Sequence, residues 1–60
     1  MNKDTYNRLL KDIKDFENNK AIFLMTDKDE LHKRKMYLYS NGFITKEQAI
    51  SIENRIDSIL

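Results

Sequence analysis

The sequence predicts an all-α fold, a small domain of three helices whose last two form a hairpin turned at Gly42. Two observations predict it. Apolar residues recur at helical spacing near both ends of the chain, and a turn signal followed by a helix cap separates the second and third segments. The 60-residue chain has one glycine and no proline, so the region around Gly42 is the clearest break in its helical pattern. We expect a single domain with helices at about 4–18, 27–41 and 46–60.

The first helix is predicted by an apolar stripe with charged residues opposite it. The stripe consists of Tyr6, Leu9, Leu10, Ile13 and Phe16. Asp4 or Thr5 can cap the start of this helix, and Asn18 with Asn19 weakens its end, although the helix could extend to residue 25. The following run, 21–25, is apolar on every side. Over five residues, periodicity does not distinguish a short buried strand, a buried helical turn or a segment that binds a partner.

The second helix is predicted to begin at Thr26, because acidic residues crowd its first turn, where the helix dipole favours negative charge. These residues are Asp27, Asp29 and Glu30. Its apolar face is poor. Leu31 and Leu38 fall together on it, but Arg34 and Lys35 flank them.

The turn and the third helix carry the strongest local signals. Gly42 can adopt the left-handed conformation that closes a helix. Thr45 and Gln48 stand at the spacing of a capping box, in which the hydroxyl and the amide each bond the backbone N–H of the other residue. One stripe follows, preceded by Phe43 and Ile44, and its members are Ala49, Ile52, Ile56, Ile59 and Leu60.

The C-terminal half of the chain resembles the SHOCT family of short C-terminal domains. The likeness lies in the spaced Leu31 and Leu38, the segment Gly-Phe-Ile-Thr-Lys-Glu-Gln at 42–48, and the closing Ile-Leu pair at 59–60, and covers about residues 29–60. Arg34 and Lys35 depart from it, since the family places another leucine there. The resemblance implies a module for oligomerisation or partner binding, sometimes linked with nucleic acid, and implies no chemistry.

A second likeness is to the ribbon-helix-helix repressors, if residues 22–25 form a strand ahead of the two helices. In that fold, polar residues on a two-chain ribbon read the major groove. Residues 22–25 do not alternate between apolar and polar, so the segment offers no side chains for reading bases.

Composition excludes several classes of site. The chain has no cysteine and one histidine, His32, so a disulfide, a thiolate metal centre or a zinc site is not expected, and neither is a catalytic centre or a cofactor site. The formal net charge of +1 favours no class of partner. No run of about 18 apolar residues and no signal-peptide pattern occurs, which leads us to expect a cytoplasmic protein.

The basic cluster 32–35 has two interpretations. Lys33, Arg34 and Lys35, with Tyr37 and Tyr39 nearby, could contact nucleic-acid phosphates. Alternatively, the cluster is a solvated helix face paired with Asp29 and Glu30 one turn earlier. Four consecutive residues on a helix point in four directions, which favours the second interpretation.

Several large apolar residues do not fit the three predicted stripes. They are Phe23, Met25, Met36, Tyr37 and Ile50. A chain of about 60 residues buries too little surface for ample stability on its own, and apolar patches rich in Met and Tyr are typical of interfaces. We therefore expect a protein interface, within a homo-oligomer or with another protein.

The functional hypothesis is a small non-enzymatic regulator of bacterial or phage type. It would bind and modulate a larger protein, such as an integrase, a repressor or another DNA-processing or DNA-binding protein. The alternative is a dimeric DNA-binding protein that contacts phosphates through residues 32–35.

Overall fold

The computed structural model describes the backbone of residues 2–59 and the side chains of residues 6–59. Within that part the protein is all-α, with three helices, and the predicted fold class is confirmed. Helix α1 spans Asn2–Asn18, α2 spans Met25–Ser40 and α3 spans Lys46–Ile59, and a 3-10 turn at Lys20–Ile22 joins the first two. No strand occurs between residues 2 and 59, so the strand interpretation of 21–25 and the ribbon-helix-helix likeness built on it are wrong.

The helix boundaries differ from prediction by one or two residues at the start of α1 and at both ends of α2, and they agree at the end of α1 and the start of α3. Helix α1 begins at Asn2, upstream of Asp4 and Thr5, whose side chains lie outside the described residues. Helix α2 begins at Met25 rather than Thr26. The Asp27 carboxylate accepts a hydrogen bond from the Leu24 backbone N–H at 3.1 Å, which satisfies a donor at the start of the helix.

The core forms where the three helices meet. Its members are Leu9, Ile13, Phe23, Leu31, Leu38, Ile44, Ala49, Ile52, Ile56 and Ile59. Tyr6, Leu10 and Phe16 pack against this cluster. The predicted stripes of α1 and α3 are therefore confirmed, apart from Leu60, which lies outside the described residues.

The α2–α3 turn is a Schellman motif. Gly42 has a φ of 74°, in the left-handed region that favours glycine. Its N–H donates to the Tyr39 carbonyl at 3.1 Å, and the Phe43 N–H donates to the Leu38 carbonyl at 2.9 Å, the pair of bonds that defines the motif. The turn predicted at Gly42 is thus confirmed.

The predicted capping box at the start of α3 is also confirmed. The Gln48 N–H donates to the Thr45 hydroxyl at 3.1 Å, and the Thr45 N–H donates to the Gln48 side-chain oxygen at 2.8 Å. Ile44 and Ala49, on either side of the box, are both buried in the core, as in a hydrophobic staple. The hairpin that carries the candidate surfaces is thus fixed by local residues at its turn.

Ion pairs join every pair of helices. Asp12 on α1 accepts from Arg34 on α2 at 2.6 Å. Glu17 on α1 and Arg55 on α3 form a two-bond pair, at 2.8 and 3.2 Å. Further contacts between charged side chains join α2 to α3 and are described with the surfaces below.

Candidate interaction surfaces

An apolar groove lies on the outer face of the helical hairpin. It has a volume of about 200 Å³ and is lined by Met36 and Tyr39 from α2 and by Ala49 and Ile50 from α3. Lys35, Glu53 and Lys46 form its polar rim. We call this surface the α2–α3 groove. Met36 is 51% exposed and Ile50 49% exposed, so the groove presents large apolar side chains to solvent.

Helical geometry places these residues together. Met36 and Tyr39 are three residues apart on α2, and Lys46, Ile50 and Glu53 repeat at intervals of four and three on α3, so each set lies on one face of its helix. Ile50 lies beside the buried stripe of α3 and lines the groove together with residues of α2. The hairpin therefore brings together two of the predicted interface residues, Met36 and Ile50.

Other predicted interface residues lie elsewhere. Met25 is 63% exposed at the start of α2, next to the exposed Leu24. Tyr37 is exposed but packs at 6.3 Å between ring centroids against Phe43. This contact is the apolar pair that often accompanies a Schellman motif, so part of the Tyr37 ring serves the turn.

The predicted interface position of Phe23 is wrong. Phe23 is buried in the core at 5% exposure. The 3-10 turn at Lys20–Ile22 redirects the chain so that the Phe23 ring meets the Phe16 ring edge to face, with centroids 4.9 Å apart. Because this tertiary contact, rather than helical periodicity, decides the burial of Phe23, the apolar pattern of 21–25 did not reveal it.

Four further large apolar residues are exposed although the sequence does not predict them at an interface: Ile22, Leu24, Tyr39 and Phe43. Tyr39 lines the α2–α3 groove, and its spacing of three from Met36 was the available signal. Ile22 ends the 3-10 turn that follows α1, and Leu24 precedes α2. Had α1 continued to residue 25, Leu24 would have fallen on its buried stripe.

The basic cluster is divided among the helices around it. Arg34 pairs with Asp12 at 2.6 Å. Lys35 is only 6% exposed and its ammonium pairs with Glu53 at 2.7 Å. Lys33 is exposed. Of the three residues suggested for nucleic-acid contact, two are thus engaged within the domain.

His32 also contacts a carboxylate on α3. Its Nε2 atom lies 3.2 Å from the Asp57 carboxylate, and the Lys28 ammonium lies 3.6 Å from the same oxygen. Among the described residues, no group of three or more His, Cys, Asp or Glu side chains could hold a metal ion. His32 thus helps to connect α2 to α3.

The ion pair between Glu17 and Arg55 shifts the pKa values of both side chains. The two hydrogen bonds from the Arg55 guanidinium lower the pKa of the Glu17 carboxyl below its ordinary value of 4.5, and partial burial opposes this shift. The hydrogen bond with Glu17 likewise raises the pKa of Arg55. Both shifts favour the charged forms, so this pair contributes to the α1–α3 packing at neutral pH.

Comparison of the chain with family models, with curated proteins and with solved structures gives no significant match. Among the helices described here, none combines the length and the apolar character required to cross a membrane.

Proposed function

We propose that this chain is a small, non-enzymatic regulatory protein that self-associates through the α2–α3 groove and binds a larger protein. The observation that carries the proposal is the apolar surface. Eight large hydrophobic side chains are exposed among the described residues, and Met36, Tyr39 and Ile50 form a continuous groove. Exposed apolar area of this kind, rich in Met and Tyr, is characteristic of protein interfaces.

A second copy of the chain is the proposed occupant of the α2–α3 groove. A domain of about 60 residues gains little stability from its own core, so covering this groove would add useful burial. The rim also suits two-fold symmetry. Lys46 and Glu53 lie on either side of Ile50 along α3, so antiparallel α3 helices packed about Ile50 would bring Lys46 of one copy towards Glu53 of the other.

The regulatory part of the proposal concerns the larger protein. The resemblance to SHOCT hairpins supports a role in binding another protein. We propose a regulator of bacterial or phage type whose target is a DNA-processing or DNA-binding protein, such as an integrase or a repressor. Met25, Leu24 and Ile22 remain exposed away from the α2–α3 groove and could serve that second contact.

The competing hypothesis is a DNA-binding dimer that uses residues 32–35. It receives less support from the geometry, since Arg34 and Lys35 already pair with carboxylates. Phosphate contact by these residues would require breaking those pairs, which leaves Lys33 as the readily available cation.

Sedimentation velocity over a range of micromolar concentrations tests the self-association. The wild-type protein is expected to dimerise, and Met36→Glu with Ile50→Glu is expected to give a folded monomer. Because both side chains are half exposed, the double variant should keep its helical circular dichroism. Leu24→Glu with Met25→Glu is the matched control, since it adds the same charges at exposed residues outside the groove, and should still dimerise.

Two results would overturn the proposal. One is a wild-type protein that stays monomeric at high concentration. The other is a dimer that the Met36 and Ile50 changes leave intact but that charge reversal at Lys33 disrupts.

A further inference from the structure

A second, larger groove lies on the other side of α2, where α1 and the 3-10 turn meet it. Its volume is about 430 Å³, within the range of about 300–1,000 Å³ common for binding pockets. Phe16, Ile22 and Leu31 provide its apolar lining. We call it the α1–α2 groove. It shares no lining residue with the α2–α3 groove.

The charges around this groove differ from those of the whole chain. Four carboxylates line it, from Asp12 and Asp15 on α1 and from Asp27 and Glu30 on α2, against one guanidinium, that of Arg34. Arg34 pairs with Asp12. Three carboxylates are left over on a chain whose net charge is +1, so the excess of acidic side chains is local to the lining of this groove.

The remaining carboxylates stand where a ligand could reach them. Asp15 and Glu30 are exposed, and neither takes part in an ion pair between side chains of residues 6–59. Asp27 is half-buried and accepts the Leu24 N–H. The negative rim is thus carried by side chains from both helices that flank the apolar lining.

The apolar lining continues onto the open surface. Ile22 lines the groove and is itself more than half exposed, and the neighbouring Leu24 and Met25 are exposed as well. An occupant could therefore place apolar side chains in the groove and along this strip while its cations meet the carboxylates on either side. A small cation alone would leave the apolar surface uncovered, and nucleic acid would be repelled by the rim.

We propose that the α1–α2 groove binds a basic amphipathic segment of a partner protein, one that alternates apolar side chains with lysine or arginine at helical spacing. Apolar contact in the groove supplies affinity, as in other helix-in-groove complexes. The carboxylates select for positive charge and speed the encounter. This inference rests on the proposal that the chain binds a larger protein, and it specifies the chemistry of that protein's contact.

Fluorescence anisotropy with synthetic peptides tests the inference. The probe is a labelled amphipathic peptide of leucine and lysine, and its matched counterpart replaces every lysine by glutamate. The variant is Asp15→Asn with Glu30→Gln, which removes two rim charges and leaves the Arg34 ion pair intact. The matched control is Asp29→Asn with Glu47→Gln, which makes the same change of charge at exposed residues that do not line the groove.

The leucine–lysine peptide is expected to bind the wild type and the control equally, and to bind the Asp15 and Glu30 variant roughly 3- to 30-fold more weakly. The glutamate peptide should show no binding. Ile22→Ser should also weaken binding of the leucine–lysine peptide, because it removes an apolar contact from the lining.

The inference is overturned if the wild type does not bind the peptide, or if the control loses as much affinity as the rim variant. It is overturned as well if Ile22→Ser does not weaken binding of the leucine–lysine peptide, since the groove would then recognise positive charge alone. Loss of self-association in the rim variant would identify the occupant as a second copy and would also contradict it. A monomeric wild-type protein that binds the peptide would contradict self-association alone, so the two failures are distinguishable.

Discussion

Helix α3 buries four apolar side chains along one face, whereas the face of α2 that meets it has a lysine between two leucines. The buried residues of α3 are Ala49, Ile52, Ile56 and Ile59, and those of α2 are Leu31, Lys35 and Leu38. Helix α2 lies against both other helices, and its cations pair with carboxylates on each of them. The difference shows that two cations of the basic cluster, Arg34 and Lys35, join α2 to the helices on either side of it.

Truncation of Ile56, on the buried apolar face of α3, should lower the stability of the protein most. Ile56 is fully buried, so Ile56→Ala should lower the free energy of unfolding by about 2–5 kcal/mol through lost burial and a cavity. Urea denaturation measures this, and Ser51→Ala, at an exposed site on the same helix, is the control. An Ile56→Ala variant as stable as the control would show that α3 does not pack by this face.

Substitution of Glu53 tests the contribution of the Lys35–Glu53 ion pair between α2 and α3. Glu53→Ala leaves the Lys35 ammonium buried without its partner, which should cost about 1–3 kcal/mol. Lys35→Met removes the buried charge and keeps the side-chain volume, so its stability should stay within about 1 kcal/mol of the wild type. Thermal or urea unfolding compares them. If Lys35→Met is less stable than Glu53→Ala, the unpaired buried ammonium is not the main cost of removing Glu53.

Gly42 tests the connection between the two helices. A Cβ atom at this position would meet no atom within 4 Å, so the cost of a substitution comes from the positive φ alone. Gly42→Val should destabilise the protein by about 1–2 kcal/mol, and Gly42→Asn by less, since asparagine tolerates the left-handed region. Equal stability of the three proteins in urea would show that the turn adopts another conformation.

The Glu17–Arg55 pair should give the smallest effect, because both side chains are about one-third exposed and solvent screens them. Arg55→Ala should cost roughly 0.5–1 kcal/mol at neutral pH. The folded-state pKa of Glu17 is lowered below 4.5, so this contribution is present above that pH and is lost as the pH falls through the folded-state value. The difference between wild type and variant should therefore shrink in acid. A difference that is constant with pH would assign the cost of Arg55→Ala to lost packing.

The sequence predicted the parts of the fold that local chemistry determines. The Gly42 turn and the Thr45–Gln48 cap rest on backbone conformation and on bonds between near neighbours, and the stripes of α1 and α3 rest on regular spacing. Phe23 was missed because its ring reaches that of Phe16 through the 3-10 turn at Lys20–Ile22, which the sequence did not predict. Lys35 was missed because a lysine is rarely buried unless it is paired, and its partner lies 18 residues away.

The candidate surfaces were predictable only in part. Met36 and Ile50 were identified as apolar residues without a place in a stripe, and the hairpin brings them into one groove. The α1–α2 groove could not be anticipated, because its carboxylates come from two helices whose relative placement depends on the 3-10 turn between them.

Sedimentation velocity of the wild-type protein with a fluorescent random-sequence DNA duplex at low salt distinguishes apolar from basic intermolecular contacts. We propose that the apolar surface, rather than the basic cluster, makes these contacts. This proposal predicts that the protein sediments as a dimer and that the duplex sediments as it does alone. A monomeric protein that sediments with the duplex, and is released steeply as salt is raised, would contradict it.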